Sequence, residues 1–189
     1  MIGKDFAAVL AAAQHRDEAA FAALWHDSQP ALLRYLTVIA PDTAEDIAAE
    51  TWTQVVRGLA KFRGDEQHWR AWLFTIARRR VIDQGRRQMR RPSISLDTQP
   101  ELTLAELPAL QSPDAADVAL ENLDTRAAIA VIAQLPPMQA EVIMLRVVAG
   151  LDTETVAQLL GRSPGAIRVA AHRGLHRLAG LLAEAGVTR

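Results

Sequence analysis

Residues 153–178 read TETVAQLLGRSPGAIRVAAHRGLHRL. Val156, Ala157 and Leu160 recur at helical spacing and mark the inward face of a short helix, capped by Asp152 and stopped by Gly161. After the turn Gly161-Arg162-Ser163, Ser163 caps a second helix with Pro164 at its first position, where the missing amide hydrogen costs nothing. This helix runs to about Ala185, with Ile167, Ala171, Leu175, Leu178 and Leu182 as its apolar stripe and Arg168, His172, Arg173, His176 and Arg177 facing outward. Two helices joined by so tight a turn predict a helix-turn-helix, whose second helix enters the DNA major groove N-terminus first. Gly165 and Ala166 are small enough for close approach to base edges, and the helix start presents free amides to phosphate. Residues 161–178 hold four Arg and no acid, and Arg is the best bidentate reader of guanine. The alternative is a plain helical hairpin with a solvated basic face. His172 and His176 are spaced i, i+4, but no carboxylate or Cys stands at ligand spacing, so an ordinary polar face is expected rather than a metal site.

Upstream, Leu135-Pro136-Pro137 breaks the chain ahead of a helix over Met138–Ala149 that ends at Gly150. An earlier helix starts at Ser112-Pro113, with Val118, Leu120, Ile129 and Ile132 on its stripe. Before it, Pro92, Pro100, Pro108 and Pro113 fall among Ser, Thr, Asp and Gln, and a long helix cannot run through them. Residues 92–113 are therefore expected to form a flexible acidic linker between helical domains at 1–91 and 114–189. Strand signals are nearly absent, which predicts an all-α protein made of two small helical domains.

In the first domain a helix is expected over Asp17–Ile39, past Pro30, and another after Pro41, with Asp42 as cap and Glu45 completing a capping box. The buried stripe of that second helix is Ile47, Thr51/Trp52, Val55 and Leu59; Asp46, Glu50, Thr53 and Arg57 form a polar stripe. A third helix spans Asp65 to about Met89, with Trp69, Trp72, Leu73 and Ile76 inward. Its stretch KFRGDEQHWRAWLFTIARRRVIDQGRRQMRR begins at Lys61 and interleaves aromatic residues with Arg. Two readings stand: a surface that tracks single-stranded DNA, or core tryptophans beneath a basic face. Arg78, Arg79 and Arg80 cover over half the helix circumference; Arg80 is placed to pair with a carboxylate of another helix, and Arg78, Arg79, Arg86 and Arg87 are the DNA candidates.

Charge follows the same division. The 189 residues carry a net charge of −1, which taken whole argues against nucleic acid. Yet residues 57–91 are net +8, 92–125 net −7 and 126–189 net +3. Such asymmetry signals either nucleic-acid contact or a solvated basic face beside an acidic linker. The absence of Cys excludes a disulfide scaffold, a thiol nucleophile and Cys-ligated metal. No phosphate loop, nucleophile elbow or dinucleotide turn is present, so neither an enzyme nor a cofactor is expected. With no apolar run of membrane length and no cleavable leader, a cytoplasmic protein is expected.

AEDIAAETWTQVV, FRGDEQHWRAWLFTIARRRVIDQGRR and LPPMQAEVIMLRVVAGLDTETVAQLLGRSPGAIRVAAHRGLHRL, in this order, resemble an extracytoplasmic-function (group IV) sigma factor of the bacterial sigma-70 family. The resemblance covers roughly residues 20–185. It implies a protein that joins core RNA polymerase through its beta and beta′ subunits, directs it to promoter DNA and helps melt the −10 element. It further implies polymerase contacts at Asp46, Glu50, Gln54 and Arg57. The −10 strand would be held by Lys61, Phe62, Arg63, Arg78, Arg79, Arg86 and Arg87. The −35 element would be read by Arg162, Ser163, Gly165, Ala166, Arg168, Val169, His172 and Arg173. Such factors are commonly held by an anti-sigma partner. Ala49, Arg79 and Ala170 depart from the residues common at those positions in the family. The remaining alternative is a free-standing helix-turn-helix regulator of duplex DNA.

Overall fold

The computed structural model of the chain describes residues 2–90 and 126–184. The 92–113 linker, the Ser112-Pro113 helix start, Val118 and Leu120 lie outside the described residues. A 3-10 turn at Gly3–Asp5 leads into α1 (Phe6–Gln14), followed by α2 (Glu18–Ile39), α3 (Ala44–Gly58) and α4 (Glu66–Arg90). The C-terminal unit holds α5, described over 126–132, then α6 (Pro137–Ile143), α7 (Thr153–Leu160) and α8 (Pro164–Glu184). No strand occurs among the described residues.

Local chemistry accounts for several of the helix ends. Asp17 caps α2 by accepting from the Ala20 amide at 2.8 Å. Asp152 caps α7 through the Thr155 amide at 2.7 Å, and Ser163 caps α8 through the Ala166 amide at 3.2 Å. Gly161 closes α7 in the left-handed region, at φ +64°. The start of α3 departs from expectation. Pro41–Thr43 forms a 3-10 turn of its own, and Thr43 takes the cap position without a side-chain hydrogen bond. Asp42 thus sits inside that turn and no capping box with Glu45 forms; proline's fixed φ starts the tight turn early and delays the α-helix. A second departure lies between α6 and α7, where Met144–Val148 turns as a π-helix instead of continuing α6 to Ala149.

In the N-terminal bundle Ile47, Thr51, Trp52 and Val55 of α3, Leu59 of the 3-10 turn Leu59–Lys61 that follows it, and Trp69, Leu73 and Ile76 of α4 are all buried, as the periodicity predicts. Trp72 is only half-buried and lies over Gly58, where an added Cβ would meet its ring at 2.8 Å. The Trp69 indole donates to Ser28 Oγ at 3.0 Å, so the largest buried side chain also satisfies its polar atom. In the C-terminal unit Leu175 is half-exposed rather than inward. Its expected place is taken by Gly174, because α6 and α8 approach too closely for a side chain there.

The two units are docked on one another. Helix α2 packs on α6 and the π-turn, and α4 meets α7. Their buried residues, from Phe6 to Ile167, form one cluster. The two helical units are those expected; small units bury too little surface alone, and each gains apolar contact from the other.

Candidate nucleic-acid and polymerase interfaces

Helix α3 turns Asp46, Glu50, Thr53 and Arg57 to solvent, with Gln54 half-buried beside them. This polar stripe is not isolated from α4. The Arg80 guanidinium donates to Gln54 Oε1 at 3.2 Å and lies 3.8 Å from Glu50 Oε2, the cross-helix pairing expected of it. Glu50, Gln54, Arg57, Arg80 and Arg87 line a shallow groove of about 250 Å³ between the two helices. A candidate polymerase-facing stripe and a candidate DNA-facing helix therefore share one corner.

The loop into α4 is held from beneath. Gln14 of α1 donates to the carbonyls of Leu59 and Phe62 at 3.0 and 2.8 Å, fixing the turn that presents Lys61 and Arg63. Arg63 folds back on the carbonyls of Ala60 and Phe62. Asp65 accepts from the His68 amide at 3.0 Å, and that bond holds its carboxyl below the usual carboxylate value. Phe62 is not on the surface. It is 9% exposed, stacked on Trp72 at 5.0 Å and edge-on to Trp69 at 5.7 Å, so its ring supports the loop from within.

Along α4, Arg79, Arg86 and Arg87 are exposed, whereas Arg78 is drawn to the other unit, its Nε donating to Glu141 Oε1 at 2.9 Å. The same carboxylate oxygen accepts from the Tyr35 hydroxyl at 3.1 Å. Nearby, Arg70 pairs with Glu66 at 3.1 Å and Asp27 at 3.6 Å and reaches the Ala149 carbonyl at 3.4 Å. Glu141 and Tyr35 carried no sequence signal: their partners stand 63 and 106 residues away.

The helix-turn-helix presents Arg162, Ser163, Gly165, Ala166, Arg168, Val169, His172 and Arg173 together on one exposed face, continuous with the start of α8. Arg168 donates to Glu154 of α7 at 3.0 Å, a bond that links the two helices of the motif. Among the described residues no group of three or more His, Cys, Asp or Glu is placed to hold a metal. Among them, too, no helix is long and apolar enough to cross a membrane.

Residues 24–91 match the family Sigma-70 region 2, and residues 125–178 match Sigma-70, region 4. The ECF RNA polymerase sigma factor ShbA of Streptomyces griseus is 37% identical over 140 residues, 72% of this chain and 70% of that protein. The ECF RNA polymerase sigma factor SigD of Mycobacterium tuberculosis is 30% identical over 192 residues, 98% of this chain and 88% of its own length. In fold, the chain is similar to CnrH, solved with the cytosolic domain of CnrY (TM-score 0.60, 21% identity, 96% of this chain and 99% of that one). It is also similar to Bartonella quintana RpoE, solved with the anti-sigma factor NepR (TM-score 0.59, 22% identity, 89% and 98%). Two matched regions in sigma-factor order, with relatives aligned across most of both chains, place this protein among the extracytoplasmic-function RNA polymerase sigma factors of the sigma-70 family.

Proposed function

We propose that this sigma factor divides its work between residues 1–91, which bind core RNA polymerase and hold the melted −10 strand, and residues 114–189, which read the −35 element, with 92–113 as the connection. The observation that carries the reading is the shared corner of α3 and α4: an exposed mixed-charge stripe (Asp46, Glu50, Gln54, Arg57) tied by Arg80 to an arginine-rich helix. Arg79, Arg86 and Arg87, with Lys61 and Arg63 of the supported loop, are suited to the phosphates of a single strand. In the second unit, Arg168 is the candidate base reader, Val169 offers an apolar contact to a thymine methyl, and Ser163, Gly165 and Ala166 allow close approach at the helix start. RNA synthesis stays with the polymerase and this chain supplies no catalytic group. The protein acts in the cytoplasm, and an anti-sigma factor is its second protein partner.

A run-off transcription assay tests this. Core polymerase plus the purified chain should give promoter-dependent transcripts, and the chain alone should bind duplex DNA weakly. Tight operator binding without polymerase and no such transcript would favour the free-standing regulator. The match of residues 24–91 to Sigma-70 region 2 weighs against that alternative, because a free-standing regulator has no need of such a domain.

A further inference from the structure

Glu141 stands on α6, in the unit assigned to the −35 element, yet its side chain belongs to the other unit. Oε1 accepts from both the Tyr35 hydroxyl and Arg78 Nε, and the three groups are mostly shielded: Tyr35 is 0% exposed, and the side chains of Glu141 and Arg78 are 16% and 25% exposed. Two converging donors, one cationic and one neutral, suit a carboxylate oxygen or a phosphate oxygen equally well. Behind them Phe74 holds the Tyr35 ring edge-on at 5.3 Å, so the hydroxyl is fixed in place.

We propose that Glu141 is an internal latch: it occupies a two-donor anion site, formed by Arg78 and Tyr35, that takes a backbone phosphate of the promoter strand once the two units separate. The proposal rests on the sigma-factor reading above. Separation is a geometric necessity under that reading. Elements named −10 and −35 lie about 25 base pairs apart, roughly 85 Å at about 3.4 Å per pair, whereas a compact chain of this length is roughly 40 Å across. The docked arrangement therefore cannot hold both elements, and in it Arg78 is already spent on Glu141. Arg79 stays exposed but lines a cleft with Thr155 and Gln158 of α7, so α7 borders the same face. Region 4 and DNA thus compete for the same face of α4. Arg70 and Gly150 form a second point of the contact. The Ala149 carbonyl accepts from Arg70, and Gly150, at φ +67°, leaves that guanidinium room that a Cβ 3.2 Å away would take.

The test uses the full chain, by X-ray scattering and by anisotropy with a labelled single-stranded dT oligonucleotide of about 12 nucleotides. Glu141→Ala leaves the Arg78 charge shielded and unpaired, so the units should part and the radius of gyration rise. Oligonucleotide affinity should increase about tenfold, and its salt slope should steepen by about 0.7, the increment for one phosphate on a single strand. Adding Arg78→Met should cancel the gain and Tyr35→Phe should reduce it. Glu141→Gln, which keeps the shape and removes the charge, should move both readouts less in the same direction. If both Glu141 variants are folded by circular dichroism, yet compact and unchanged in affinity, the latch is wrong. A gain that survives Arg78→Met overturns the two-donor site. A wild-type chain that gives no promoter-dependent transcript would instead remove the sigma-factor reading, while the scattering and oligonucleotide readouts still decide the latch.

Discussion

A Cβ on Gly174 would stand 2.7 Å from Ile143 Cδ1 and 3.3 Å from Gln139 Cβ, so α8 contributes no side chain at the level where these α6 side chains pack on it. The helix-turn-helix is braced on α6 there. Gly174→Ala should therefore destabilise the protein, although alanine is the better helix former by about 1 kcal/mol. Overpacking costs about 1–3 kcal/mol, so a net loss of roughly 1 kcal/mol is expected in urea unfolding. Adding Ile143→Val removes the clashing methyl and should recover more than additivity allows; a strictly additive pair would contradict the contact.

Arg168 is tied to Glu154 at 3.0 Å with both side chains largely in solvent, so the pair orients more than it stabilises. Arg168→Ala should lose about 1–3 kcal/mol of holoenzyme affinity at particular −35 base pairs, and little at others. A uniform loss across promoter variants would mean a phosphate contact only.

On α3, Asp46 is exposed, and its reversal leaves the core intact. Asp46→Arg should weaken binding to core polymerase about tenfold or more by placing like charge against the partner, with a melting temperature lowered only slightly by the loss of a negative charge from the first turn of α3. Glu50→Arg should do the same and, in addition, repel Arg80 at the α3–α4 corner, so it should also lower the melting temperature slightly. Unchanged affinity in both variants would remove the stripe from the polymerase contact.

The Asp152 carboxyl is held below its ordinary value of 3.8, chiefly by the hydrogen bond from the Thr155 amide. A depressed carboxylate contributes stability that is full above its unfolded value and is lost as pH falls below 3.8. Exchange of the first α7 amides should accelerate in that acid range. Asp152→Asn should keep the cap and lose this acid response; Asp152→Ala should cost about 1 kcal/mol at neutral pH.

Tyr35 is the only tyrosine of the chain, so a tyrosinate absorbance titration reads it alone. Burial, then the Glu141 charge and hydrogen bond, push its phenol well above 10.0. With the folded value raised, the group's contribution to stability is full below pH 10.0 and lost as pH climbs past it. The wild type should titrate above 10.0, and Glu141→Ala should move it back toward 10.0. Ordinary titration in the wild type would mean that the units are not docked in solution.

Much of this protein is a local matter. The caps at Asp152 and Ser163, the stop at Gly161 and the stripes of α3 and α4 depend on neighbours within about one helical turn, so the sequence by itself determines an all-α chain with a helix-turn-helix. The exposed faces carrying Asp46, Glu50, Arg79 and Arg168 follow from the same periodicity. Tertiary structure decided what depends on distance. Phe62, which the resemblance placed among the −10 contacts, is core because Trp69 and Trp72 come to meet it. Leu175 yields its place to Gly174 because α6 crosses there, a condition that no spacing within α8 records. Arg78 resembles its neighbours in composition, yet it alone of the predicted DNA arginines faces Glu141, 63 residues away. Helical period sets which residues share a face. Only the docking of one unit on the other sets what that face meets.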